Sequence, residues 1–133
     1  MRSDVRQKLI DVAKRGETIT YGELMKEFRI PRGSLKPGVG IGSVLGSIRE
    51  QEYAQRRSLI SAIAVRANSN NKICPKGTPG AGFLGLPGIP AHLHRPASEH
   101  SNPRLTVEEQ QFINAEQERV WVYWRSHYSN ASG

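Results

Sequence analysis

The chain alternates between segments whose apolar residues recur every three or four positions and segments rich in Gly and Pro that carry no period. Val5, Leu9, Val12 and Ala13 fall on one stripe, which predicts an amphipathic first helix. Ser3 is its cap, Asp4 lies near the positive end of its dipole, and Gly16 stops it. In Thr-Tyr-Gly-Glu, Thr20 and Glu23 have the spacing of a capping box, each side chain accepting the other's backbone N–H. This predicts a second, short helix carrying Leu24, Met25 and Phe28. Pro31 disfavours helical geometry at Ile30 and closes it. Residues 32–40 read as a loop, after which Ile41, Val44, Leu45 and Ile48 predict a third helix over 41–55.

Leu59, Ile60, Ile63 and Val65 make a short apolar run within 58–66 that suits a buried strand. A turn-rich loop over 68–82 follows, with 83–86 as the returning strand. Residues 87–103 combine Pro, Gly and His without periodicity, which predicts an irregular surface segment. Thr106 and Glu109 supply a second capping box, opening a long C-terminal helix over 106–128 with Phe112, Ile113, Val120, Trp121, Trp124 and Tyr128. Three helices, the third after a turn and before an apolar hairpin, are the order of a winged helix-turn-helix. The expected fold class is therefore α+β: one domain over 1–133, with a small β-hairpin and the long C-terminal helix packed against it.

A length of 133 residues matches a single domain. No apolar run is long enough to span a bilayer and the first residues lack the apolar core of a signal peptide, so a soluble, cytoplasmic protein that does not engage membranes is expected. The lone cysteine, Cys74, cannot form an internal disulfide. Charge changes the picture more. The net charge of +7 is concentrated: residues 29–76 carry nine Lys/Arg against two Asp/Glu, whereas 1–28 carry six against five and 77–133 four against five. A basic region on the elements that the helix order assigns to recognition points to a polyanion, and specifically to DNA. The candidate contacts are Arg32, Lys36, Ser43, Ser47, Arg49, Arg56 and Arg57. Arg49, within the third helix, is expected to reach base edges, and Lys36, Arg56 and Arg57 in the flanking segments to meet phosphates.

Gly-Glu-Thr-Ile-Thr-Tyr-Gly-Glu-Leu over 16–24, then Ile-Gly-Ser-Val-Leu over 41–45 and an apolar strand, resembles the DNA-binding domain of O6-alkylguanine-DNA alkyltransferases and alkyltransferase-like proteins. That family combines a Thr-Tyr-Gly-x-Leu helix start, a recognition helix with Val-Gly-x-Ala-Leu, and a Pro-Cys-His-Arg-Val active-site strand. The resemblance covers roughly half the chain and implies a winged helix that meets DNA through its third helix. It does not extend to the family's chemistry. Ser61 stands where the cysteine would be and no His-Arg follows, so neither alkyl transfer nor the family's base-accepting pocket is expected. The loop between the second and third helices is also longer than in that family.

Other constellations offer rival chemistry. Cys74 lies two residues from Lys76, which would favour its thiolate, and with His92, His94 and His100 it would offer zinc donors, but the spacing matches no closed zinc motif. Glycines at 38, 40, 42 and 46 lack the preceding strand and the Gly-Lys-Ser/Thr of a phosphate loop, and read as a flexible lead-in to the third helix. Trp121, Trp124 and Tyr128 form an aromatic stripe expected to pack inward, with a partner protein or a homodimer seam as its alternative. The expected protein is thus a non-enzymatic nucleic-acid binder with no cofactor, metal or catalytic residue. The alternatives are an interaction module built on the aromatic helix, or an enzyme built on Ser61, Cys74 or the histidines.

Overall fold

The structure, a computed structural model, describes residues 2–36, 38–99 and 104–131, without the side chains of residues 81, 97 and 127–131. Helix α1 spans Ser3–Lys14 and strand β1 Ile19–Thr20. Helix α2 spans Tyr21–Phe28 and α3 Ile41–Ala54. Strand β2 is Ala64–Val65, and helix α4 runs Val107–Ala131. Short 3-10 turns occupy Ile60–Ile63, Ala81–Gly85 and Ala97–Glu99. The strands pair in parallel, Ile19 opposite Ala64 and Thr20 opposite Val65. The class is α+β, mostly helical among the described residues.

Local chemistry accounts for the helix ends. Thr20 accepts the Glu23 N–H at 3.1 Å, and α2 ends with Arg29 in the left-handed region just before Ile30-Pro31. At α4 the capping box is complete: Thr106 Oγ1 accepts the Glu109 N–H at 3.1 Å, and Glu109 Oε1 accepts the Thr106 N–H at 2.7 Å. Helix α1 starts without a side-chain cap, Ser3 lying already inside it.

The expected hairpin is corrected. Within 58–66 the chain forms the Ile60–Ile63 turn and only the two residues of β2, whose partner is β1 from ahead of α2. Residues 83–86, expected to return as a strand, lie largely in the Ala81–Gly85 turn. A short apolar run buried on every side carries no period to separate strand from helix, and all of Ile60–Ile63 is buried. Carbonyls that a strand partner would have taken find side chains instead. Gln117 Nε2, buried on α4, donates to Ala62 O at 3.0 Å and to Gly77 O at 2.9 Å.

The main core joins α1, α2, α3, the Ile60–Ile63 turn and α4 through Leu9, Leu24, Ile48, Ile63, Val120, Trp121 and Trp124. A second cluster gathers Leu59, Cys74, Phe83, Leu84 and Ile113. Trp121 and Trp124 are buried in the core, and Trp121 Nε1 donates to Glu17 O at 2.9 Å. The side chain of Tyr128 lies outside the described residues. No helix among the described residues is long and apolar enough to cross a membrane.

Candidate nucleic-acid interface and its cavity

The candidate contacts divide into three groups. Arg32, Lys36 and Ser43 are exposed, Ser47 is half-buried, and all lie on the 31–40 loop or the first half of α3. Arg56 and Arg57 follow the other end of α3, whose 14 residues span about 21 Å at about 1.5 Å each. Arg56 is exposed and adopts a left-handed φ of 56°, which lets the Arg57 N–H reach back to Glu52 O at 2.8 Å. Arg57 then folds onto Glu52, its Nε 2.6 Å from Oε2, while Arg6 meets the same buried carboxylate at 2.6 Å. Glu52 thus ties α3 to α1 through Arg6, and Arg57, drawn onto the same carboxylate, is only partly available to a ligand. Arg56 and Arg57 line, with Tyr53, Ser58, Arg119 and Tyr123, a separate cleft of about 710 Å³.

Arg49 is the clear correction. Its side chain is fully buried, so the base-edge role expected from its place on α3 does not hold. Nε and Nη2 donate to Pro87 O at 3.1 and 2.9 Å, and Nη1 to Ser61 Oγ at 3.2 Å and Phe83 O at 3.3 Å. The guanidinium carbon lies 4.4 Å from the centre of the Phe83 ring. Burial pulls its pKa down to about 10, opposed by the charge of Glu116, and at neutral pH it stays charged. The planar fork suits three acceptors that converge from two segments, which the point charge of a lysine would not span. A cation inside a helical stripe looks solvated in sequence, and only the fold shows that position 49 faces the 83–87 segment.

Arg49 props one wall of a cavity of about 410 Å³. Ile41, Gly42, Leu45 and Gly46 of α3 form one side, and Gly80, Gly82, Phe83 and Leu86 the other, with Tyr21 and Ser61 contributing hydroxyls. Tyr21 accepts the Gly80 N–H at 2.8 Å, and burial raises its pKa, so the phenol stays neutral. The lining is apolar and glycine-rich, leaving a slot between two backbone walls. Sequence reasoning did not find this site. Tyr21 was legible only as part of a capping box, and Gly80, Gly82 and Phe83 as loop and strand. Ser61 does occupy the site, yet its described polar partner is the Arg49 guanidinium, a donor and not a base.

The other constellations disperse. Cys74 is buried with Sγ donating to Gln110 O at 3.3 Å, and burial raises its pKa, opposite to the activation its lysine neighbour suggested. Lys76 itself donates to Gly16 O and lies 4.9 Å from the centre of the Trp121 ring. His92 pairs with Glu108 at 3.2 Å, while His94 lies 3.2 Å from Gly85 O; His100 is outside the described residues. No three metal-ligating side chains gather among the described residues. Arg29, Arg32, Lys36, Arg56, Arg66 and Lys72 are exposed, and none is ion-paired among the described residues. No protein-family model, curated protein or solved structure matches the chain.

Proposed function

We propose that this chain is a non-enzymatic binder of duplex nucleic acid, with the 31–40 loop and the first half of α3 as its contact surface. In this reading α2 and α3 form the helix-turn-helix, and the segment from Arg66 to the Ala81–Gly85 turn stands in the place of a wing. One observation carries it: residues 28–49 contain no carboxylate, and their exposed cations Arg29, Arg32 and Lys36 run directly into the first turn of α3. There Gly42 and Ser43 are exposed in the first turn of a helix that lacks a side-chain cap, so phosphate would meet cationic side chains and the positive end of the helix dipole together. Although no base-accepting pocket is expected from the sequence, the cavity has the volume and apolar lining to hold a planar ring, with Phe83 and Leu86 against a base drawn from the stack. Of its two lining hydroxyls, Ser61 accepts from the Arg49 guanidinium and Tyr21 from the Gly80 N–H, which supports a role in binding.

Fluorescence anisotropy with duplex and single-stranded probes across a salt series tests this. Duplex binding with log affinity falling steeply against log salt is expected. A folded protein that binds neither probe near physiological salt overturns the reading and favours an interaction module instead.

A further inference from the structure

Leu35 stands at 104% of its reference exposure, whereas among the described residues no other large apolar side chain exceeds 61%. A leucine on a slack loop would fold back onto the surface, and the geometry of this loop prevents that. Ile41 N donates to Pro31 O at 3.0 Å and closes the base of the loop. Gly40 lies so close to Gly33 that an added Cβ would come within 3.2 Å of the Gly33 Cα, which holds the neck shut. Lys36 N donates to Ser34 Oγ at 3.1 Å, forming a small turn directly under Leu35. Gly38, at φ 79°, supplies the left-handed residue that brings the chain back.

The result is one apolar side chain on a braced stalk, flanked by the exposed cations Arg32 and Lys36 in a stretch without carboxylates. A groove on a protein partner would call for apolar neighbours around Leu35, and a bilayer for a wider apolar area. Among the described residues of the 31–40 loop the other exposed large apolar side chain is Val39, which at 38% stands far less clear of the surface, and the positions next to Leu35 are Pro, Gly, Ser and cations. A single apolar wedge with positive charge on both sides matches stacked bases between two rows of phosphates.

Resting on the nucleic-acid reading above, we propose that Leu35 inserts between neighbouring bases of a duplex and unstacks one step, while Arg32 and Lys36 hold adjacent phosphates. Steps that unstack easily are then preferred, a mismatched pair above a matched one. The loop ends at Ile41, which lines the cavity, so the disturbed step lies beside the α3 wall.

The test uses matched and mismatched duplexes carrying 2-aminopurine next to the central pair. Wild-type protein should raise the fluorescence and bind the mismatched duplex about tenfold more tightly, because part of the unstacking has been done. Leu35→Ala should weaken binding while leaving the slope of log affinity against log salt unchanged, because Arg32 and Lys36 still meet phosphates, and should lose both the rise and the preference; Leu35→Met should restore them. Wild-type binding without a fluorescence rise, or an unchanged rise with Leu35→Ala, overturns the wedge and leaves the nucleic-acid reading intact. No binding to either duplex overturns both. Leu35-dependent binding to phosphatidylserine vesicles with no effect on 2-aminopurine overturns the wedge in favour of a membrane contact.

Discussion

Segments 31–40 and 87–99 both mix Pro, Gly and cations, and neither shows a helical or strand period, yet the fold treats them in opposite ways. Along 31–40 every described residue except Gly40 is exposed, and Arg32 and Lys36 have no carboxylate partner among the described residues. The 87–99 segment is fastened at both ends. Pro87 O takes two donors from buried Arg49, and Arg95 forms a two-point pair with Glu109, both contacts 2.7 Å, at the start of α4. Leu93 is buried between these anchors. The contrast teaches that the burial of two guanidinium groups, Arg49 and Arg95, and not the Pro and Gly content, decides whether such a segment is fastened to the core or left exposed.

Breaking the Arg49 anchor should have the largest effect. Arg49→Ala would leave the Pro87 carbonyl without its donors and the Phe83 carbonyl with the Leu86 N–H alone at 3.4 Å, and would open a void, for a loss of about 3–5 kcal/mol in urea denaturation. Arg49→Lys should recover little of it, since an ammonium cannot span the three acceptors. Hydrogen exchange should rise over 83–87 and stay unchanged over 31–36. A variant within about 1 kcal/mol of wild type, an amount ordinary for an undistinguished site, would show that Arg49 is not the anchor.

The second anchor is read through pH. The hydrogen-bonded guanidinium of Arg95 holds the Glu109 carboxyl below its ordinary value of 4.5. Its contribution is therefore complete above that value and is lost as pH falls through the lower folded one. Glu116 has the opposite sign: burial raises its pKa, so its ionised form lowers stability at neutral pH, and this is relieved as pH falls through the raised value. Glu109→Gln should cost about 2–3 kcal/mol at neutral pH by removing the carboxylate that accepts two hydrogen bonds from the Arg95 guanidinium. The gap from wild type should narrow below about pH 4, as Glu109 itself takes up a proton. A gap constant from about pH 7 to about pH 3 would mean that the ion pair contributes nothing to the fastening of 87–99.

These anchors mark the limit of what the sequence alone conveys. Helices α1 to α4 are legible because each places an apolar stripe between recognisable end signals, the Thr20 and Thr106 boxes above all. The hairpin is not, because Ile60–Ile63 is buried on every side and Phe83 turns its carbonyl to Arg49 instead of a neighbouring strand. Charge density located the basic third of the chain but could not sort it. Lys76 is committed to Gly16 O, Arg57 to Glu52 and Arg49 to the cavity wall, whereas Arg32 and Lys36 stay exposed, and that division exists only in three dimensions.

The neck of the exposed loop offers a smaller perturbation. Gly40→Ala would press a methyl group against the backbone of Gly33 and Ser34, 3.2 and 3.3 Å away, and substitutes a poorer N-cap. A loss of about 1 kcal/mol is expected, with a larger proportional loss of duplex affinity because the loop is displaced. Unchanged affinity in a folded variant would separate the loop from the contact surface.

The smallest effect on stability, and the sharpest test of the comparison, comes from the exposed cations. Arg32→Ala/Lys36→Ala removes two side chains that make no ion pair among the described residues, so the unfolding free energy should stay within about 0.5 kcal/mol of wild type. If both touch phosphate, the slope of log affinity against log salt on B-DNA should become shallower by about 1.8, at about 0.9 for each phosphate no longer neutralised. Because phosphates carry no sequence information, the weakening should be equal on unrelated duplexes. Arg57→Ala provides the opposite control. It leaves buried Glu52 with Arg6 alone, and should lower stability while moving the slope little, since its guanidinium already lies 2.6 Å from that carboxylate. If instead Arg57→Ala flattens the slope and Arg32→Ala/Lys36→Ala does not, phosphate is held at the far end of α3, and the surface proposed at its first half is wrong.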